Sequence, residues 1–208
     1  MSYKIHYFPL RGRAELTRAI LALAGQSWED VTYNQETWPA AKASGKFLFS
    51  QLPALELEDG SVLVQSAAIA KYLGRKYDLY SDEPLEAYNI DVVCASASDV
   101  LEGYVVVAFR TPEEQKEEAL EKFVKGTLTN NLAVWEKLLS KGDTKYIANN
   151  KRSIADVEVF LLLEIFEALT PQVLAEFPHL QTFLGDFKNE PGLAEYLVSD
   201  KRPAPRPN

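Results

Sequence analysis

The chain has one cysteine, Cys94, and only two histidines, His6 and His179, in 208 residues. A single thiol excludes an intrachain disulfide framework, a Cys-x-x-Cys redox pair and a cysteine-ligated zinc site. The two imidazoles stand far apart in sequence, so a metal site would have to rest on carboxylates. No ligand spacing for one is present, and no metal is expected. The opening residues Met1-Ser2-Tyr3-Lys4-Ile5 lack the basic region and long apolar core of a signal peptide. No run reaches the ~18 uninterrupted apolar residues of a membrane helix, so the expectation is a cytoplasmic protein without membrane contact. Basic residues are in deficit as well. Lys and Arg number 22 against 30 Asp and Glu, a net charge of −8, which argues against a nucleic acid as general partner. A small anion can still bind where a local group of basic residues outweighs the global field.

What is present suits a soluble fold: 47% hydrophobic and 25% charged residues, in a length that fits one large domain or two modest ones. The most informative stretch runs from Ser50 to Leu73. Pro53 opens a short alternating strand (Leu55, Leu57), Asp59-Gly60 signals a hairpin turn, and Ser61 to Val64 is the return strand. Ser66 stands as an N-cap ahead of Ile69, Ala70, Tyr72 and Leu73 at helical spacing. A Pro at the head of a strand marks an edge, and a cis Leu52–Pro53 bond suits so tight a turn. An open backbone edge at Leu52, beside a helix N-terminus at Gln65-Ser66, is a place for a peptide to pair and lodge its carboxylate. An ordinary hairpin followed by a capped helix is the other reading of the same residues.

Ahead of this stretch come a strand from Tyr3 to Phe8, a turn at Arg11-Gly12-Arg13 and a helix from Ala14 to Ala24 closed by Gly25. A second strand, Trp28 to Tyr33, and a short irregular helix from Glu36 to Lys42 follow. With the hairpin and a helix from Ser66 to Tyr77, the order is β-α-β-α-β-β-α, a mixed α/β sheet. Residues 78–84 are polar, end in Pro84 and read as a linker; residues 85–208 are all-helical in pattern. Leu85 to Phe109 is one long helical segment. A second runs from Pro112 to about Leu139 and is broken at Gly142-Asp143. Ser153 and Asp156 form a capping-box-like start for an apolar helix through Leu169, the expected centre of its domain. Further helices start at Phe177-Pro178-His179 and at Pro191, and the Pro-rich tail from Arg202 to Pro207 is expected to be extended and mobile.

Tyr7-Phe8, Arg11-Gly12-Arg13, Trp38 with Lys42, Gln51-Leu52-Pro53, Gln65-Ser66 and Asp99 after a Pro-ended linker form an ordered combination. From Tyr3 to about Leu197 the chain resembles a cytosolic glutathione transferase of the tyrosine-using, sigma/pi-like group. The resemblance implies a thioredoxin-like domain at 1–77, in which Pro53 is the cis-Pro and Leu52 pairs through its backbone with the cysteinyl unit of glutathione. An all-helical domain at 85–208 is implied to contribute the electrophile pocket. The co-substrate would be glutathione, the partner a second copy of the chain, and the reaction conjugation of hydrophobic electrophiles in detoxification.

The chemistry demands a thiolate at neutral pH. A free thiol with a pKa of ~8.5 is only a few per cent ionised at pH 7, and lowering that pKa by ~2 units takes roughly 2.7 kcal/mol, within reach of one or two charge-assisted hydrogen bonds. By the resemblance Tyr7 donates to the sulfur; otherwise it is a strand aromatic that buries its ring. Arg13 adds fixed charge near it. Gln65 and Ser66 would take the γ-glutamyl carboxylate, Trp38 and Lys42 the glycyl carboxylate, and Gln51 a further contact. Lys46 reads as a plain surface lysine. Asp99 would reach the γ-glutamyl ammonium of the neighbouring subunit's site, and Phe49 lies on the loop that in pi-like members inserts into the partner. Phe8, Leu10, Tyr104, Val107 and Phe109 would line the electrophile pocket, though aromatic and branched residues at helical spacing also make plain core.

Departures from the family pattern are confined to a few positions. Sigma-type prostaglandin D synthases carry an acid cluster on the fourth helix, where Ala95-Ser96-Ala97-Ser98-Asp99 has one acid, which counts against a metal-activated prostaglandin-type isomerase. Ser50 and Asn149 stand where Gly is usual, and Phe109 where pi-type members have a pocket Tyr. A non-catalytic hydrophobic-ligand-binding or lens-type structural protein is the alternative on the same fold. A glutaredoxin-like reductase lacks its cysteine at the first helix.

Overall fold

A computed structural model describes residues 3–141 and 144–205. The break expected at Gly142-Asp143 and the tail residues Arg206 and Pro207 lie outside the described residues. The chain forms two compact units. One runs to Leu79 and is taken up again from Lys188; the other is Tyr80–Phe187. From Lys188 onward the chain groups with the sheet.

In the first unit, strands β1 (Tyr3–Tyr7), β2 (Trp28–Thr32), β3 (Ala54–Glu56) and β4 (Val62–Val64) form one sheet in the order β2-β1-β3-β4. β1 runs parallel to β2 and antiparallel to β3, and β3 runs antiparallel to β4. The mixed sheet follows from the chain: a helix connects β1 to β2 and a tight turn connects β3 to β4. That turn is a three-residue loop in which Gly60 takes φ +84° and its N–H donates to the Leu57 carbonyl at 3.0 Å. β1 alternates less than its sequence suggests, since His6 is buried along with Tyr3, Ile5 and Tyr7. A central strand has both faces covered.

Helix α1 (Glu15–Leu23), preceded by a 3-10 turn at Gly12–Ala14, is buried along its whole length, Glu15 and Arg18 included. Short α2 spans Trp38–Ala43. Helix α3 is Ser66–Lys76, and here the structure corrects the expected cap: Gln65 is the N-cap and Ser66 the first helical residue. Gln65 adopts φ +71°, a region costly for a residue with a side chain and one that sequence patterns do not reveal.

In the second unit α4 (Pro84–Val105) begins one residue before the expected start, capped by the Glu83 carboxylate, which accepts from Leu85 N–H at 3.1 Å and Glu86 N–H at 2.7 Å. Its continuation as a π-turn to Arg110 makes Pro84–Arg110 long and apolar enough to cross a membrane by length and composition. Ile90, Val93, Ala97 and Val100 are its buried positions. Helices α5 (Lys116–Phe123) and α6 (Thr129–Ser140) follow.

Helix α7 (Ile154–Leu169) is the centre of the unit, with Val159, Phe160, Leu163 and Phe166 without exposed surface. Its capping box forms as expected, and the buried Asp156 carboxylate accepts from Ser153 N–H (2.7 Å), Ser153 Oγ (2.9 Å) and Ile147 N–H (2.8 Å). Burial pushes this carboxyl up to about 6 against the pull of those hydrogen bonds. A single turn, α8 (Pro171–Leu174), is unanticipated, and α9 (Pro178–Phe187) is capped from α6 by Glu136, which accepts from His179 and Leu180 N–H groups at 3.0 and 2.9 Å.

The chain then rejoins the first unit. Gly192 packs so closely on α1 that an added Cβ would stand 2.2 Å from the Ala22 carbonyl oxygen, and α10 (Leu193–Leu197) follows. The tail expected to be mobile is held at Arg202, whose Nε donates to Glu15 Oε1 at 2.8 Å, and at Pro203, whose carbonyl accepts from Arg11 Nε at 2.9 Å.

Asp156→Ala removes a cap and orphans buried N–H groups at Ile147 and Ser153. Urea unfolding of this variant is expected to show a loss of about 2–4 kcal/mol. A loss below about 1 kcal/mol would contradict the reading of Asp156 as the anchor of α7.

Candidate active site

Tyr7 ends β1 with its ring buried. Its Oη accepts the backbone N–H of Arg13 at 3.1 Å. A phenol oxygen that accepts a hydrogen bond keeps its own hydrogen for another partner, so Tyr7 is a poised donor. The approach requires glycine at the intervening position: Gly12 has φ +42°, and a Cβ there would lie 2.6 Å from Tyr7 Oη. Tyr3, at the other end of β1, is engaged elsewhere, by Tyr77 Oη at 2.5 Å and Lys76 Nζ at 2.7 Å.

The loop that carries Arg13 is fixed from inside. Arg18 has no exposed surface, and its Nη1 donates to the carbonyls of Leu10 (3.2 Å) and Arg11 (3.3 Å) while its Nε donates to Asp30 Oδ1 (2.9 Å). One buried cation thus ties the loop after β1 to β2. Asp30 also accepts from Trp28 Nε1 at 3.1 Å.

A chain of aromatic rings leads from Tyr7 through Phe8 (5.6 Å between centroids) to Trp38 (6.0 Å from Phe8). Tyr33 and Phe47 flank Trp38 at 5.7 and 5.8 Å. Beneath them His6 Nδ1 meets Tyr33 Oη and His6 Nε2 meets Glu56 Oε2, both at 2.9 Å. Lys42, four residues after Trp38 in α2, is exposed and carries no ion pair among the described residues. Residues four apart share a helix face, so indole and ammonium sit side by side. Lys46, by contrast, is paired with Glu56 at 2.6 Å.

The Leu52–Pro53 bond is cis, and neither the N–H nor the C=O of Leu52 bonds to another backbone group among the described residues. Gln51 Oε1 accepts from Gln65 Nε2 at 3.4 Å, which brings the loop before β3 to the start of α3. The Ser66 hydroxyl and the N–H groups of the first turn of α3 form a ready set of donors for a carboxylate.

Tyr7, Arg13, Trp38, Lys42, Gln51, Leu52, Pro53, Gln65 and Ser66 all lie in the first unit, as do Phe8 and Leu10 on the loop after β1. Asp99, Tyr104, Val107 and Phe109 belong to the second unit. There Asp99 is exposed, Val107 is buried, Phe109 is exposed, and Tyr104 packs edge-on against Phe166 at 5.8 Å. Sequence reasoning read Gly12 only as part of a turn motif and assigned no site role to it, to Arg18, His6 or Tyr33. Only Gly12 carried a signal, as a glycine between two site residues.

Two electrostatic perturbations lie beneath the site. The hydrogen bonds from Lys46 and His6 hold the Glu56 carboxyl down at about 2, and burial lowers the His6 imidazole below its usual range.

A four-stranded mixed sheet with a cis-Pro before β3 and a helical unit after it defines a thioredoxin-like domain joined to an all-helical one. The description "Glutathione S-transferase, N-terminal domain" matches residues 3–75, and "Glutathione S-transferase, C-terminal domain" matches residues 98–200. The chain is 33% identical over 205 residues to mouse glutathione S-transferase A4, covering 97% of this chain and 91% of that protein. It is 34% identical over 200 residues to bovine glutathione S-transferase P, covering 95% and 92%. Among solved structures, monomeric Na-GST-3, a glutathione S-transferase of the hookworm Necator americanus, superposes with a TM-score of 0.88 at 26% identity, covering 97% of this chain and 98% of that one. The chain belongs to the glutathione S-transferase family.

The His6 imidazole sets a pH dependence. Its folded pKa lies below the unfolded value of 6.5, so as pH falls the unfolded chain takes up the proton first. Stability present above pH 6.5 is then lost as the pH drops toward 5, by at most about 1.4 kcal/mol per pH unit. Denaturant unfolding of His6→Gln should show a shallower fall between pH 7 and 5 than the parent. Parallel profiles would remove His6 as the cause.

Proposed function

We propose that Tyr7 activates the thiol of glutathione for attack on hydrophobic electrophiles, in a site whose tripeptide contacts come from Trp38, Lys42, Gln51, Leu52, Pro53, Gln65 and Ser66. The observation that carries this reading is the Arg13 N–H bonded to Tyr7 Oη at 3.1 Å, which leaves the phenol hydrogen for the sulfur. The thiolate forms a new S–C bond to the electrophile, the leaving group departs with its electron pair, and the thiol proton goes to solvent. Arg13 contributes fixed positive charge that favours the anion. The open N–H and C=O of Leu52 pair with the cysteinyl unit in the manner of an added strand. The γ-glutamyl carboxylate takes Ser66 and the N-terminal dipole of α3, and the glycyl carboxylate takes the Trp38 indole N–H and the Lys42 ammonium. This is how a chain of net charge −8 holds an anionic tripeptide. In this reading Phe8, Leu10, Tyr104, Val107 and Phe109 are the residues assigned to the hydrophobic electrophile. Detoxification in the cytoplasm is the matching physiological role.

The working state in this reading is a homodimer, in which Asp99 pairs with the γ-glutamyl ammonium held by the partner. Leu48 and Phe49 are 76% and 57% exposed, and Leu85, Tyr88 and Val92 form an exposed apolar stripe along α4. Exposed apolar surface of this kind favours burial against a second copy. Sedimentation velocity at micromolar concentration is expected to give a dimer. A fully active monomer, the state named for the hookworm relative, would contradict it.

Tyr7→Phe should lower kcat by at least about tenfold with little change in KM for glutathione, because the hydroxyl acts on the sulfur and not on the ends of the tripeptide. Unchanged turnover would remove Tyr7 from the mechanism. Lys42→Ala and Ser66→Ala should do the converse and raise KM, by about 1–2 kcal/mol each, with kcat nearly kept. Steady-state kinetics separates the two patterns, and a loss confined to kcat would reassign both residues.

A further inference from the structure

The end of the chain closes on the loop that holds Tyr7. Glu15, at the head of α1, is 5% exposed and sits between two arginines: Arg18 Nη1 reaches its Oε2 at 3.5 Å, and Arg202 Nε donates to its Oε1 at 2.8 Å. Tyr196 Oη donates to Glu15 Oε2 at 3.0 Å. Burial, together with the Glu15 charge, raises the Tyr196 hydroxyl, which therefore stays protonated and remains a donor. With Asp30 the group balances two cations and two anions. One residue further on, Arg11 Nε donates to the Pro203 carbonyl at 2.9 Å. Arg11 is thus gripped twice, by Arg18 at its own carbonyl and by Pro203 at its side chain, immediately before Gly12 and Arg13.

We infer that Arg202 and Pro203 are positioning residues for thiol activation: they hold the Arg11–Arg13 loop in the geometry that presents the Arg13 N–H to Tyr7. The coupling is electrostatic. Without Arg202, Glu15 and Asp30 share a single cation, Arg18. The guanidinium is drawn toward Glu15 and away from the Leu10 and Arg11 carbonyls that it now holds, because a buried charge left without a partner is far costlier than a lost neutral contact. The loop then relaxes and the bond from Arg13 N–H to Tyr7 Oη lengthens. The Arg202 and Pro203 bonds end on Glu15 and Arg11, neither of them assigned to glutathione, so the effect is expected in the thiolate and not in tripeptide affinity. The inference rests on the assignment of Tyr7 as the thiol activator.

The test uses full-length Arg202→Ala, Arg202→Lys and Arg11→Ala, with three readouts: the pKa of the bound thiol from its ultraviolet thiolate absorbance, kcat and KM for glutathione, and the thermal midpoint. Arg202→Ala is expected to raise the bound-thiol pKa by about one unit, equivalent to a tenfold loss of thiolate below that pKa. At pH 6.5 kcat should fall by a similar factor, with KM within about twofold. Arg202→Lys, which keeps the charge beside Glu15, should recover most of both. Arg11→Ala cuts the Pro203 bond from the loop side without touching Glu15, moves the thiol pKa in the same direction, and decides alone if Arg202→Ala fails to fold. A lower thermal midpoint with the parent's thiol pKa and kcat would reduce the tail to a structural brace and overturn the inference. Tyr7→Phe is measured alongside. If it leaves the thiol pKa unchanged, the Tyr7 assignment itself falls, and the inference with it. If Tyr7→Phe raises the pKa while the Arg202 and Arg11 variants do not, only the tail's role is rejected.

Discussion

A guanidinium with no exposed surface governs the geometry of the loop after β1. Arg18 binds two successive carbonyls of the turn after β1, a carboxylate of β2 and a carboxylate of its own helix. Such a group adds little net stability, since desolvation offsets most of the attraction. Breaking it costs several kcal/mol all the same, about 3–5 when one partner of a buried pair is lost. Its value is specificity: every alternative course of the turn would leave a buried cation or a buried carbonyl without a partner. Given this turn, Gly12 can take its positive φ beside Tyr7, and Arg13 N–H meets the phenol oxygen. The phenol oxygen then accepts from the backbone, which leaves its own hydrogen for another partner.

The proposed glutathione site also answers how an acidic protein recognises an anionic peptide. Little of the recognition depends on net charge. In the proposed reading the donors are backbone N–H groups at the start of α3, the open edge at Leu52, the Trp38 indole N–H and the Lys42 ammonium, which carries no ion pair among the described residues. Trp38 is wedged among Phe8, Tyr33 and Phe47, which in turn rest on the buried His6. Rigid donors at the correct spacing cost little entropy when the ligand arrives.

Much of this was legible from residues. The Asp59-Gly60 turn, the Pro53 strand start and the Ser153–Asp156 capping box are local signals, and each produced the expected element. Tyr7, Trp38, Lys42 and Ser66 were reached through an ordered set of motifs along the chain. What stayed hidden depends on contacts between distant residues. Glu15 and Arg18 look like charges on an outward helix face until a tail 187 residues further on covers Glu15. The positive φ at Gln65 displaced the cap by one residue, and no composition rule marks it. The mobile tail was an inference from proline content, whereas Arg202 at its head finds a buried carboxylate.

The most direct measurement is the ionisation of the thiol in the complex of the parent enzyme with glutathione, followed by thiolate absorbance against pH. The account requires a midpoint about 2 units below the ~8.5 of a free thiol. A bound thiol that titrates at the free value would show that the Tyr7 hydroxyl does not act on the sulfur, and would contradict the account at its centre.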